Sequence, residues 1–139
     1  MAITQTMCSS FKQEILLAIH DMDNDAIKLA LYTSAASLDA STTVYSSANE
    51  VVASGYVANG NTLTGATVTL DGTTAIVTFS NTSWTSSDIV ARGALIYNSS
   101  KSNKAVAVLD FGADKVPTAG VFTVQFPAAT ASSAVVRIG

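Results

Sequence analysis

A hydrophobic rhythm of two residues, restarted repeatedly after short polar turn signals, governs the chain from Ala26 to its C-terminus. Ile27, Leu29 and Leu31 alternate with Lys28, Ala30 and Tyr32, which puts successive side chains on opposite faces of a strand. Asp71-Gly72 separates Thr67-Val68-Thr69-Leu70 from Ala75-Ile76-Val77-Thr78-Phe79. A two-residue type I′ turn needs positive φ at both central positions, so Asp71-Gly72 predicts a tight hairpin. Asn59-Gly60-Asn61 and the polar run Asn98-Ser99-Ser100-Lys101-Ser102-Asn103 mark two more hairpins. The second separates Gly93–Tyr97 from Ala105–Phe111, two runs apolar on both faces that should pair antiparallel in the middle of a sheet. Phe122, Val124 and Phe126 alternate with Val121, Thr123 and Gln125 until Pro127, which has no N–H for a ladder. A last strand is expected over Ala134–Ile138. Strands recurring about every ten residues between turn signals predict a mainly β fold, an antiparallel β-sandwich or β-barrel.

The N-terminal part departs from this rhythm. Residues 1–9 carry no charge and no periodicity and read as an extended arm. Ser10 with Gln13 three residues later has the form of a capping box, and Phe11, Ile15, Ala18, Ile19 and Met22 then recur at helical spacing. One short amphipathic helix is expected from Phe11 to Met22, closed by the turn-forming Asp23-Asn24-Asp25. Ser34–Thr43 lacks alternation and should be a surface loop, while Asn49-Glu50-Val51-Val52 starts a short helical turn or strand. With 139 residues, no internal repeat and no linker, residues 1–139 are expected to form a single β-domain.

Charge narrows the functional classes. Charged residues make up 12% of the chain, against about 25% in an ordinary soluble domain. Ser, Thr, Ala, Asn and Gly must therefore cover the surface, and so weakly charged a skin repels neighbours poorly, which favours association with copies of itself or with another protein. A net charge of −3 and scattered Lys and Arg argue against nucleic acid as a direct partner. The only early apolar run, Ile15–Ile19, is too short for a signal segment or membrane span, so no membrane partner is expected. The single cysteine, Cys8, forms no intrachain disulfide and tolerates synthesis in a reducing cytoplasm; it reads as a small apolar residue near a mobile terminus.

Catalytic chemistry finds little support. One His and one Cys supply neither a His/Cys zinc cluster nor a convincing Ser-His-Asp arrangement. His20, beside Asp21, is expected to be a solvated side chain near the helix C-terminus, where partial positive charge is favoured. Asp21-Met22-Asp23-Asn24-Asp25 resembles the opening of a calcium loop, but Ala26 stands where that loop requires Gly and Tyr32 where it requires Glu. Gly55, Gly60, Gly65 and Gly72 are too dispersed for a phosphate loop. Asn81-Thr82-Ser83 and Asn98-Ser99-Ser100 match the glycosylation pattern but read as polar loop residues. Trp84 lies in a loop-like stretch, either as a lid over one end of the core or as an anchor for a partner. No catalytic, cofactor-binding or metal-binding residues are therefore assigned, no cofactor is expected, and the chain reads as non-enzymatic.

Several segments carry a family likeness. Met7-Cys8-Ser9-Ser10-Phe11-Lys12-Gln13-Glu14-Ile15-Leu16, Ile27–Thr33, Ala91–Asn98, Asn103–Gly112 and Phe122–Pro127 resemble a small structural protein of tailed bacteriophages, across nearly the whole chain. The resemblance implies a virion component made in the host cytoplasm. Its implied role is a capsid decoration or cement protein, bound as a homo-oligomer, a trimer, to the major capsid protein. A tail, collar or head-fibre component is the alternative within the virion. Outside it, a carbohydrate-binding or adhesive module would need Trp84 with Tyr45 or Tyr56 to form one flat exposed platform.

Overall fold

The computed structural model describes residues 2–139. Ten strands and one α-helix follow in the order β1 (Thr6–Met7), α1 (Ser9–Leu16), β2 (Ile27–Tyr32), β3 (Asn61–Thr62), β4 (Thr67–Asp71) and β5 (Thr74–Thr78). They continue with β6 (Thr82–Trp84), β7 (Ala91–Asn98), β8 (Lys104–Lys115), β9 (Phe122–Val124) and β10 (Val136–Ile138). The strands build a five-stranded sheet ordered β1-β8-β7-β2-β3, a three-stranded sheet ordered β10-β5-β4, and a β6-β9 ribbon, all paired antiparallel. The sheets end in free edges, so the molecule is an open, sandwich-like β fold rather than the closed barrel that the alternation equally allowed.

The run of apolar residues on both faces locates the centre. β7 lies between β2 and β8, with Leu95 opposite Ala30 and Val108, and Ile96 opposite Leu29 and Ala107; all six side chains are buried. One face of this sheet carries Tyr32 and Tyr97 and is covered by the long excursion between β2 and β3. The other carries Ile27, Leu29 and Asn98 and lies under the segment that follows α1. Phe11 and Met22 on that side and Val77 and Val136 of the small sheet belong to the same continuous core.

Helix α1 is shorter than the predicted Phe11–Met22. It ends at Leu16 because Ala18 enters the left-handed region at φ 58°, and the Ala18 and Ile19 N–H groups turn back to the carbonyls of Ile15 and Glu14. That reciprocal pair of bonds satisfies the last carbonyls and stops the helix without glycine. Leu16 and Leu17 are left 86% and 63% exposed. Nor does the capping box form. The N-cap is Cys8, which makes no side-chain cap bond, and the buried Ser10 hydroxyl finds no partner. The segment before Cys8 is paired rather than free: Ile3 bridges Leu38, and Thr6 and Met7 face Val108 and Ala107.

The turn signals fall into place with two corrections. The β4–β5 hairpin has Gly72-Thr73, not Asp71-Gly72, at its centre, with Asp71 opposite Thr74. Gly72 alone has positive φ, 62°, the requirement of a type II′ turn. Asn59-Gly60 makes a turn but no hairpin; it delivers β3 to β2, its distant partner. Gly60 is obligatory there, since a Cβ on it would lie 1.8 Å from the Leu29 carbonyl oxygen. Asn49–Val52 forms neither predicted element and contributes only a single bridge, Tyr32 to Glu50.

Candidate functional site

An open groove of about 570 Å³ lies at one end of the molecule. β8 runs past the paired part of β7, its Lys115 reaching Ala91 beyond a register break. The chain then reverses at Ala119-Gly120, where both residues have positive φ (52° and 78°) and Thr118 and Val121 exchange backbone hydrogen bonds. This is the type I′ geometry. Sequence reading passes over it because Ala occupies a position usually held by Asn, Asp or Gly. Phe111, Val116, Val121 and Phe122 give the groove an apolar floor, with Lys115 and Gln125 at the rim. Its volume suits a ligand pocket. Lys115, Thr118, Thr123 and Gln125 supply its polar lining, which holds no carboxylate, histidine or cysteine; those side chains lie elsewhere.

His20 is the first of these, and it is not the solvated residue expected. Because α1 stops early, the chain folds back and buries His20, its ring 4.9 Å from that of Phe11. Nε2 is 2.9 Å from Glu14 Oε1 and Nδ1 is 3.0 Å from the buried Asn98 amide nitrogen. An amide nitrogen only donates, so in this arrangement Nδ1 accepts and Nε2 donates to Glu14. Asn98 also donates to Asp25 (2.8 Å), which pairs with Lys101 Nζ at 3.2 Å. The chain of bonds from Glu14 to Lys101 ties the segment after α1 to the β7–β8 turn. Asn98 is therefore a buried strand-end residue, not the polar loop residue that its glycosylation-like context suggested.

The calcium-like run turns its carboxylates on itself. Asp21 Oδ1 accepts from the N–H groups of Asp23 and Asn24, and the Asn24 amide, the leading cause, holds the Asp21 carboxyl below its ordinary pKa. At Asp25 desolvation works the other way, but bonds from Asn98, the Asp21 backbone and Lys101 outweigh it and hold the pKa down. No group of three or more His, Cys, Asp or Glu side chains suited to a metal occurs among the described residues. The Cys8 thiol is fully buried and pushed up to about 11, first by burial and then by Asp39 and Glu14.

The most elaborate polar cluster was not anticipated. Glu50 is buried, and its carboxylate accepts hydrogen bonds from Tyr45, Tyr56 and the Asn59 N–H (2.9 Å). Tyr56 Oη in turn accepts from the Leu31 N–H at 3.0 Å. Tyr97 stacks on Tyr45 with centroids 4.7 Å apart and donates to the Asn59 carbonyl, and Tyr32 donates to that of Ser46. All four tyrosines of the chain thus surround one carboxylate. The available signal was that Glu50 is the only charged residue between Asp39 and Asp71, flanked by Tyr45 and Tyr56.

Trp84 lies on β6 rather than in a loop, opposite Phe122 on β9, and is buried. It meets Tyr56 at 5.8 Å and Phe122 edge-on at 6.1 Å, closing one end of the core. Trp84 and Tyr56 are neighbours, but both are enclosed and their rings are tilted by 39°, so they offer no flat exposed platform. No helix among the described residues is long and apolar enough to cross a membrane. In comparisons with known proteins, no family model, curated protein or solved structure matches the chain.

Proposed function

We propose that this chain is a non-enzymatic structural protein of a tailed-phage particle, a decoration or cement subunit that binds the major capsid protein on the outside of the head and stabilises the shell. One observation carries this reading: Glu50, His20 and Asn98 have their polar atoms engaged in the scaffold itself, while the exterior offers weak charge and open apolar surface. Val52, Val57 and Val116 are 97%, 77% and 64% exposed, and Val116 borders the groove at the end of β8. A protein bound across junctions between capsid subunits adds buried area that the bare shell lacks, and stabilises it by mass action. Low charge and a rigid β core suit that mechanical role.

The test is to add purified protein to heads that lack it and image the particles by electron microscopy. Density at regular positions on the shell, with heads surviving to higher temperature, is the expected result, and the images also count the subunits against the trimer that the resemblance implies. Density confined to the tail vertex would replace this reading with a tail or collar role. No bound density would overturn both.

A further inference from the structure

Strand β4 leaves backbone hydrogen-bonding capacity unused in a form that fits a second copy of itself. It ends the three-stranded sheet, and all five of its residues are exposed. Because the two-residue Gly72-Thr73 loop makes Asp71 and Thr74 a bonded pair, the N–H and C=O groups of Thr67, Thr69 and Asp71 turn towards β5. Those of Val68 and Leu70 point outwards. Edge strands are ordinarily blunted by Lys, Pro, a bulge or a covering segment. Thr67–Asp71 contains neither Lys nor Pro, and its register with β5 is unbroken.

We propose that β4 pairs antiparallel with β4 of a second copy, about a two-fold axis through Thr69. This register engages all five residues. Val68 lies opposite Leu70 of the second copy on both sides of the axis, and each of these pairs exchanges N–H···O bonds. Both side chains lie on the sheet face that carries Val77 and Val136, so the two apolar faces join into one. Asp71 falls opposite Thr67, keeping the carboxylates apart, whereas centring on Asp71 would oppose them. Two-fold pairing uses the same patch on both copies and closes at a dimer. Weak overall charge offers little repulsion against it. The pairing is independent of head binding and stands or falls without it.

Thr69 would face its own copy at a non-hydrogen-bonded site, with Cα atoms about 4.5 Å apart, within disulfide reach. Under mild oxidation, Thr69→Cys should give a covalent dimer of twice the 14.3 kDa chain mass on a non-reducing gel, while Thr73→Cys at the hairpin tip should not. The buried Cys8 gives no background. In sedimentation at micromolar concentration, the unsubstituted protein should run as a dimer, and Val68→Lys should weaken it by about tenfold or more while leaving the far-UV circular dichroism spectrum unchanged. A monomer or trimer of the unsubstituted protein would overturn the proposal, as would equal cross-linking at Thr69 and Thr73 or a dimer indifferent to Val68→Lys.

Discussion

Ala18 holds a backbone conformation that costs an L-residue with a Cβ about 1–2 kcal/mol, and it does so where the helix must turn. The conformation persists because it lets Ile15 and Glu14 give their carbonyls to the returning chain and brings His20 back onto Glu14. Glycine would adopt the same φ without the steric cost, while losing more entropy on folding. The balance favours it: Ala18→Gly should stabilise the protein by about 0.5–1 kcal/mol. Chemical denaturation should show the midpoint rising with an unchanged slope; an unchanged or lower midpoint would mean that the helix stop is not strained at Ala18. The same residue explains why α1 was read too long. Helical spacing of Phe11, Ile15, Ala18, Ile19 and Met22 continues through a stop that contains neither glycine nor asparagine, and Met22 is buried all the same, by a chain that has left the helix.

Among the elements, the excursion from Thr33 to Gly60 depends most on polar contacts. It crosses the Tyr32–Tyr97 face with no strand of its own, bonding β2 through the Thr33 N–H and Leu31 carbonyl. Glu50 fixes its middle by collecting Tyr45, Tyr56 and the Asn59 N–H. Glu50→Leu fills similar space but leaves those donors without an acceptor, each costing about 1–3 kcal/mol if it stays buried. For the three donors together the expected loss is about 3–5 kcal/mol, towards the lower end of that sum because some of them relax to other partners or water. Glu50→Gln keeps one acceptor oxygen and should lose less. Thermal melts that place both variants within about 0.5 kcal/mol of the parent would show that the carboxylate is dispensable. Sequence could not supply this element. Its order comes from side chains meeting across distant positions, Tyr45 with Tyr97 and Tyr56 with Leu31, which no local period records. The strands were legible because a two-residue rhythm is local. Asn98 and His20 were misplaced because their surroundings are set by tertiary pairing, and Trp84, read as a lid over one end of the core, does close that end but from β6 rather than from a loop.

For the molecule as a whole, the four tyrosines couple the fold to alkaline pH. Burial is the largest cause at each, and neighbouring Glu50 adds to it, so all four pKa values are raised, that of Tyr97 to about 12. An unfolded tyrosine ionises near 10. Below that value both states keep the phenol proton, and the contribution to stability is complete. Between about 10 and 12 the unfolded chain releases protons that the folded one retains, so stability falls with rising pH through that window. Because the same hydroxyls fasten the Thr33–Gly60 excursion to the central sheet, ionising them and unfolding should be one event. Absorbance at 295 nm and far-UV circular dichroism, followed together from pH 9 to 13, should therefore change in a single coincident transition, displaced upwards from free tyrosine. Tyr56→Phe should move that transition to lower pH, because it leaves Glu50 short of a donor and β2 short of the Leu31 contact. Phenol titration near 10 with the dichroism unchanged would show instead that the tyrosines reach solvent without opening the sheet, and that the cluster around Glu50 does not hold the Thr33–Gly60 excursion on the central sheet.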